Sequence, residues 1–356
     1  MKHKTLLITL FAVLCLASCG KEEEQNNPSG GNDTIPTGGG GTTPTAVPGR
    51  LPGLFSVSAT KQVYFSQGNL QWSAEGAHAT NGPFNAAGTW RFATHQYDVV
   101  GSPSWYASMA GSNAYPGNVS GSDNSFIAED YTGWIDLFGW GTSGYHNSSD
   151  RYNTNYHPYS SSQNWVNRTY NDQGYGPSTN MEDLDLTGTS ANYDWGVYNA
   201  ISNGGDAPGL WRTLTRDEWD YLRNGRADAD SKYAIGRIQM ADSAYVNGCF
   251  FLPDSWTLPD GCAFTPGTTS SYTDYSLNTY TLAQWSLMEA AGALFLPTCG
   301  ERYGTVIHVG TNGCYWSASH IDSGSANTLG FNSFYVEIGE HAGRAFGFGV
   351  RLVHDK

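Results

Sequence analysis

Basic residues are scarce in this chain. Lys and Arg number 18 against 32 Asp and Glu, which sets a formal net charge of −14 over 356 residues. Phosphate backbones are bound through clustered cations, so a nucleic-acid partner is not expected. Long apolar runs are also scarce. The only one, Leu6 to Leu16, is shorter than the roughly 20 residues a membrane-crossing helix needs. The nine histidines are scattered and form no His-Glu-x-x-His motif or close Cys/His cluster, so no zinc chemistry is indicated. Gly139 to Gly144 fits the spacing of a dinucleotide-binding loop, but no suitable strand precedes it and no helix follows. No cofactor is expected, and Gly139-Trp140-Gly141 reads as packing within a loop-rich core.

What is present first is an export signal. Lys2, His3 and Lys4 precede the apolar run, which ends at Leu16-Ala17-Ser18-Cys19. These four residues resemble the lipobox of bacterial lipoproteins, whose matching cysteine is lipidated; Cys19 is therefore the expected lipidation site and membrane anchor. Lys21-Glu22-Glu23-Glu24 resembles the surface-export signal of Bacteroidetes lipoproteins, which implies an outer-membrane protein displayed at the cell surface. The organisation expected is a signal peptide over 1–18, a flexible lipidated tether over 19–50, and one globular domain over 51–356. The tether is Asn, Gly, Thr and Pro, too polar to bury a core. Asp33-Thr34-Ile35 and Asp242-Ser243-Ala244 resemble a short bacterial O-glycosylation motif. Asn118, Asn147 and Asn167 open N-x-Ser/Thr sequons that carry no meaning in a bacterium.

With Cys15 in the signal and Cys19 at the anchor, Cys249, Cys262, Cys299 and Cys314 remain, in a compartment where disulfides persist. Four cysteines allow three connectivities. The short loops favour Cys249–Cys262 and Cys299–Cys314.

Within the domain, 55–65 reads as two short strands, 68–72 as a third and 89–92 as a fourth. Trp211 to Thr215 is a strand ending on an N-cap. Glu218 completes a capping box, Trp219 and Leu222 share the buried helix face, and Gly225 stops the helix. A strand follows at 247–253, a helix at 283–291 stopped by Gly292, a strand at 293–297, and a loop over 299–313. Phe346, Phe348, Val350 and Leu352 alternate with Gly347, Gly349 and Arg351, the pattern of a half-buried strand.

Leu214-Thr215-Arg216-Asp217-Glu218-Trp219-Asp220-Tyr221 resembles a motif of the formylglycine-generating-enzyme, or sulfatase-modifying-factor, branch of the C-type lectin fold. Gly347-Phe348-Gly349-Val350-Arg351 resembles that branch's terminal strand. Together with Tyr315-Trp316-Ser317 it is similar to the ending of paralogous surface proteins of Fibrobacter and Bacteroidetes. The resemblance covers 211–353 well and 51–200 more loosely. It implies an α+β, C-type-lectin-like fold with short strands, few helices and long irregular loops. The branch's enzymes use paired cysteines near the C-terminal end. Here only Cys314 stands there, so the chain is not expected to be an enzyme.

Function is then expected on loops. Tyr315 and Trp316 read as framework. The polar segment behind them supplies the candidate ligand contacts, His320, Asp322, Asn332, Phe334, Glu337, His341 and Arg344, for an extracellular glycan or protein. The abundance of Tyr, Trp, Gly, Asn and Ser fits both binding loops and the packing of a loop-rich domain. The variable proteins of diversity-generating retroelements have the same resemblance, and their mutable residues fall in this stretch. Ser319, His320, Ser323, Ser325, Asn327, Asn332, Ser333 and Tyr335 fit adenine mutagenesis, whereas Glu337 and Glu340 do not. Asp183-Leu184-Asp185 and Gly121 to Asn124 offer oxygen ligands for a bound calcium, although neither matches an EF-hand loop. A structural component of the outer-membrane surface is the alternative to a ligand binder.

Overall fold

A computed structural model describes residues 47–73, 88–99, 134–149, 158, 174–241, 244–303, 305–307 and 309–356. They belong to one compact unit, Ala46–Lys356, so the unit begins a few residues before the expected boundary. The signal peptide, Cys19, the tether as far as residue 46, the 33–35 motif, Asn118, Asn167, Gly121 to Asn124, Asp242 and Ser243 lie outside the described residues. The last expected tether residue, Arg50, opens the first strand.

Strand β1 (Arg50–Ser56) buries Leu51, Gly53 and Phe55 and turns the intervening residues outward, the period of a strand with one core face. It pairs antiparallel with β2 (Gln62–Ser66). The last strand, β16 (Leu352–Asp355), inserts between β2 and the short β6 (Arg212–Thr213), so the sheet order is β1-β2-β16-β6. Strands β3 (Leu70–Ser73), β4 (Thr89–Phe92) and β5 (Trp134–Ile135) form a small sheet beside it. A one-turn helix, α1 (Trp195–Tyr198), follows Asp194, whose carboxylate accepts from the backbone N–H groups of Gly196 and Thr213.

Helix α2 (Arg216–Asp220) begins as expected. Thr215 Oγ1 accepts from Glu218 N, and Glu218 Oε2 accepts from Thr215 N. Trp219 and Leu222 are buried, and a single π turn carries the chain to Gly225. Strands β7 (Tyr233–Ala241) and β8 (Ala244–Phe251) form the longest hairpin. β9 (Thr279–Thr281) lies parallel to β7 and β10 (Leu294–Pro297) antiparallel to β8. Helix α3 (Leu282–Ala290) opens on a second capping box, Thr281 with Gln284, and buries Trp285 and Met288. It ends at Gly292, whose φ of +100° few other residues adopt. The 299–313 stretch, expected as a loop, contains a hairpin of β11 (Glu301–Tyr303) and β12 (Thr305–Ile307).

The segment expected to be irregular is a three-stranded antiparallel sheet of β13 (Gly313–His320), β14 (Ser325–Phe331) and β15 (Val336–Gly343). It separates two apolar clusters. Tyr315, Leu329, Phe331 and Val336 join the larger, with Trp219, Phe250 and Trp285. Trp316, Ala318, Ala326 and Ala342 join the smaller, with Trp140, Trp195 and Trp211. Trp316 is fully buried, as its framework role requires.

Two expectations about the C-terminal region need correction. The 346–352 run is not a half-buried strand. Gly347, Phe348 and Gly349 make isolated bridges to Arg302, Phe138 and Tyr315, and only Leu352 belongs to β16. Both sides of the run are buried apart from the partly exposed Phe346. Arg351 is fully enclosed, donating to Asn69 Oδ1 at 3.3 Å and Gln96 Oε1 at 2.8 Å. The four cysteines are unpaired thiols. Cys249 stands in the middle of β8, opposite Ile235 and Leu296, and its side chain belongs to the larger core. Cys262 lies in a loop and points at the Gln284 carbonyl, 3.7 Å away. Cys299 donates to the Cys314 carbonyl at 3.8 Å rather than bonding to its sulfur. Loop length says nothing of where two Cβ vectors point, and a disulfide requires both.

The fold is therefore mixed α+β and strand-rich, with three short α-helices among the described residues.

Candidate functional site

The sheet β13–β15 distributes the expected contact residues to its two ends. β14 has seven residues, so these ends lie roughly 20 Å apart at the rise of an extended chain.

At the hairpin end, Asp322 Oδ1 accepts from Gly324 N at 2.8 Å and shapes the turn from β13 to β14. That hydrogen bond holds the exposed Asp322 carboxyl below its ordinary range, with His341 adding a smaller effect. His320 is fixed by Asp185, whose Oδ1 receives both its backbone N–H at 2.9 Å and its Nδ1 at 2.5 Å. His341 sits opposite Asn327 across the strand pair, its Nε2 3.9 Å from Asp322 Oδ2. Asn327 Nδ2 donates to the His320 carbonyl at 2.9 Å, which closes the group. His320, Asp322 and His341 thus lie at the same end of the sheet.

Arg344 is not an exposed contact. Only 2 % of it is accessible, because its guanidinium lies over the Trp140 ring at 4.3 Å and its Nη1 donates to the Pro177 carbonyl at 2.7 Å. It forms the wall of a cavity of about 230 Å³ between 174–179 and Ser323.

At the opposite end the chain turns from β14 to β15. Asn332, expected at the surface, is fully buried and acts as the turn former. Its Oδ1 accepts from Phe334 N at 2.7 Å and Tyr335 N at 3.2 Å. That geometry pushes Phe334 into solvent, 54 % exposed. Glu337 is also exposed. Glu340 folds back over Gly330, where a Cβ would collide with its carboxylate. Burial, together with the charge of Glu337, raises the carboxyl of Glu340 above its ordinary range, against a hydrogen bond from Tyr335.

A second turn is locked to this one. Thr269 N and Thr269 Oγ1 both donate to the Ser333 carbonyl, at 2.8 and 2.9 Å, and Ser333 Oγ donates to the Ser271 carbonyl. It carries Tyr272, 53 % exposed. Sequence reasoning missed Tyr272 because it lies more than 60 residues before Phe334. An aromatic set in a Ser/Thr run was the available signal.

Burial pushes the Cys299 thiol up to about 12 and the Cys314 thiol well above its ordinary value, so neither is a thiolate at neutral pH. Asp183 and Asp185, candidate calcium ligands, serve the local turn and His320: Asp183 Oδ1 accepts from Asp185 N at 3.0 Å. No cluster of three His, Cys, Asp or Glu residues placed to hold a metal occurs among the described residues. No helix among them is long and apolar enough to cross a membrane. The chain matches no family model, no characterised protein and no solved structure.

Proposed function

We infer that this chain is a surface-displayed bacterial lipoprotein, anchored through Cys19, that binds a glycan or protein ligand at the β14–β15 end of its C-terminal sheet. The observation that carries this reading is the pair of exposed rings, Phe334 and Tyr272, on two turns hydrogen-bonded to each other. Rigid aromatics lose little entropy on binding, and their faces suit both sugar C–H groups and apolar protein anchors. Glu337, exposed beside them, supplies acceptors for hydroxyl or amide donors. Phe334 and Glu337 remain the contact residues, while Asn332 positions Phe334.

A C-type-lectin-like fold of the sulfatase-modifying-factor branch is the architecture we propose. The short strands, the capped helix at Thr215 and the buried Trp316 and Arg351 support it. The upward-shifted thiols of Cys299 and Cys314 support a binder over a formylglycine-generating enzyme.

The test is a glycan and protein array probed with wild type and with Phe334→Ala and Tyr272→Ala. Loss of a wild-type signal in both variants is the expected result; an unchanged signal would move the site elsewhere. An empty array, with crosslinking to an outer-membrane neighbour in cells, would favour an assembly component. Conversion of a cysteine-containing sulfatase peptide would make the chain an enzyme. Cys19→Ala is expected to release the protein from the membrane fraction. A template repeat and reverse transcriptase beside the gene would identify the 313–353 stretch as diversified.

A further inference from the structure

Arg344 poses an electrostatic problem that the fold leaves open. A guanidinium offers five donors and keeps its charge at any physiological pH. Here it is 2 % exposed, and its recipients are neutral carbonyls: Ser325 from Nε at 3.4 Å, Tyr175 and Pro177 from Nη1 at 3.3 and 2.7 Å. Its Nη2 is buried without a hydrogen-bond partner. A buried charge with no counter-charge is costly.

Two other enclosed arginines sit in different surroundings. Arg226 has Asp254 at 3.5 Å. Arg351, like Arg344, has only neutral recipients, the amide oxygens of Asn69 and Gln96, and lines no cavity described above. Arg226 and Arg351 each keep one buried Nε without a partner. The carboxylates nearest in charge to Arg344, Asp185 and Asp322, are committed to His320 and to the Gly324 N–H. Arg344 instead forms the wall of the cavity described above, with Gly174, Gly176, Ser178 and Ser323 among its other lining residues. At about 230 Å³ the space is below the range of drug-sized pockets, so it admits one small group rather than a whole ligand.

We propose that this cavity is an oxyanion site, in which Arg344 pairs with a carboxylate, sulfate or phosphate group. It lies at the opposite end of the sheet from Phe334 and is independent of the function proposed above. The strongly negative protein would repel anions elsewhere on its surface, so a saturable response points to this position.

The purified full chain is titrated with sodium sulfate at constant ionic strength against chloride, following the melting temperature and heat of binding. Glucuronate and glucose 6-sulfate are added in separate arms, which distinguish a sugar carboxylate from a sulfate ester. Saturable stabilisation by one of these anions over chloride is expected, weakened roughly tenfold or more in Arg344→Lys, which loses the planar fork. Because Arg344 also packs on Trp140, a second variant guards against misfolding. Ser323→Asp places a carboxylate at an exposed position of the lining. It is expected to melt higher than wild type without added anion and to lose the anion response. The general stabilising effect of sulfate acts on both proteins alike and cancels in the comparison. Equal responses of wild type and Ser323→Asp, or no anion distinguished from chloride, would overturn the proposal. Phe334→Ala is expected to retain the anion response whether or not the aromatic site proves correct.

Discussion

Asp185 Oδ1 receives two hydrogen bonds from His320, one from the backbone N–H and one from Nδ1, although the residues lie 135 positions apart. One oxygen thereby sets the end of β13 and the orientation of the imidazole. The neighbouring bond from Leu186 N to the Ala318 carbonyl extends the same attachment. Asp185→Ala is expected to destabilise the fold by about 1 kcal/mol, discounted for a pair one-third exposed. Urea unfolding checks the loss, and hydrogen exchange should place it at the end of β13.

Acid should weaken the domain through Arg212. Its guanidinium donates to both oxygens of Glu218, at 2.6 and 2.8 Å, and to Asp355 Oδ1 at 2.8 Å. Burial would raise both carboxyls, but Arg212 holds each below its ordinary value. A carboxyl with a depressed folded pKa takes up its proton more readily when unfolded. Its stabilisation is complete above the ordinary carboxylate range and is lost as pH falls through the depressed values. Arg212→Met is expected to lose roughly 2 kcal/mol at pH 7. It should also show a shallower decline between pH 5 and pH 2 than wild type in urea titrations, the range over which salt-bridged carboxylates protonate.

The thiols should sort by burial. Cys249 and Cys299 are buried, whereas Cys262 and Cys314 are partly exposed, and burial pushes the Cys314 thiol well above its ordinary value. A thiol reagent at pH 8 is expected to modify Cys262 first, Cys314 more slowly, and Cys249 and Cys299 only on unfolding. Reduction should leave the mass of the unmodified domain unchanged. A mass gain of two hydrogens per pair would reveal disulfides.

Thr281→Ala removes the cap of α3 and is expected to cost about 1 kcal/mol, read as a shift in the urea midpoint at constant slope.

The capping box of α2 was legible because it is local: a hydroxyl and an acceptor three residues later meet whatever the rest of the chain does. The box of α3 carries the same local signal, but only the helix itself was expected. The stops at Gly225 and Gly292 and the burial of Trp316 were legible for similar reasons. Strands β14 and β15 were not. Ser325, Asn327, Gly330, Gly339 and Gly343 carry little intrinsic strand preference, so pairing with β13 and contact with two cores impose their conformation. Asn332 and Arg344 were assigned to the surface because polar side chains are seldom enclosed. Their burial depends on partners far away in sequence: Trp140 and Pro177 for Arg344, and the packed 269–271 turn beside Asn332. Pairing of cysteines by loop length failed because side-chain direction is a property of the assembled sheet.

The place of β16 between β2 and β6 has a consequence for the order of assembly. β2 and β6 each need Leu352–Asp355 to complete their ladders. A chain emerging from its N-terminal end therefore holds the unsatisfied edge of β2 until nearly 290 further residues have followed it, and that of β6 until about 140 have followed that strand. Folding of this sheet must wait for its most distant partner, and such non-local closure is slow. During that interval the exposed edge of β2 is the position where a holding chaperone would be most useful.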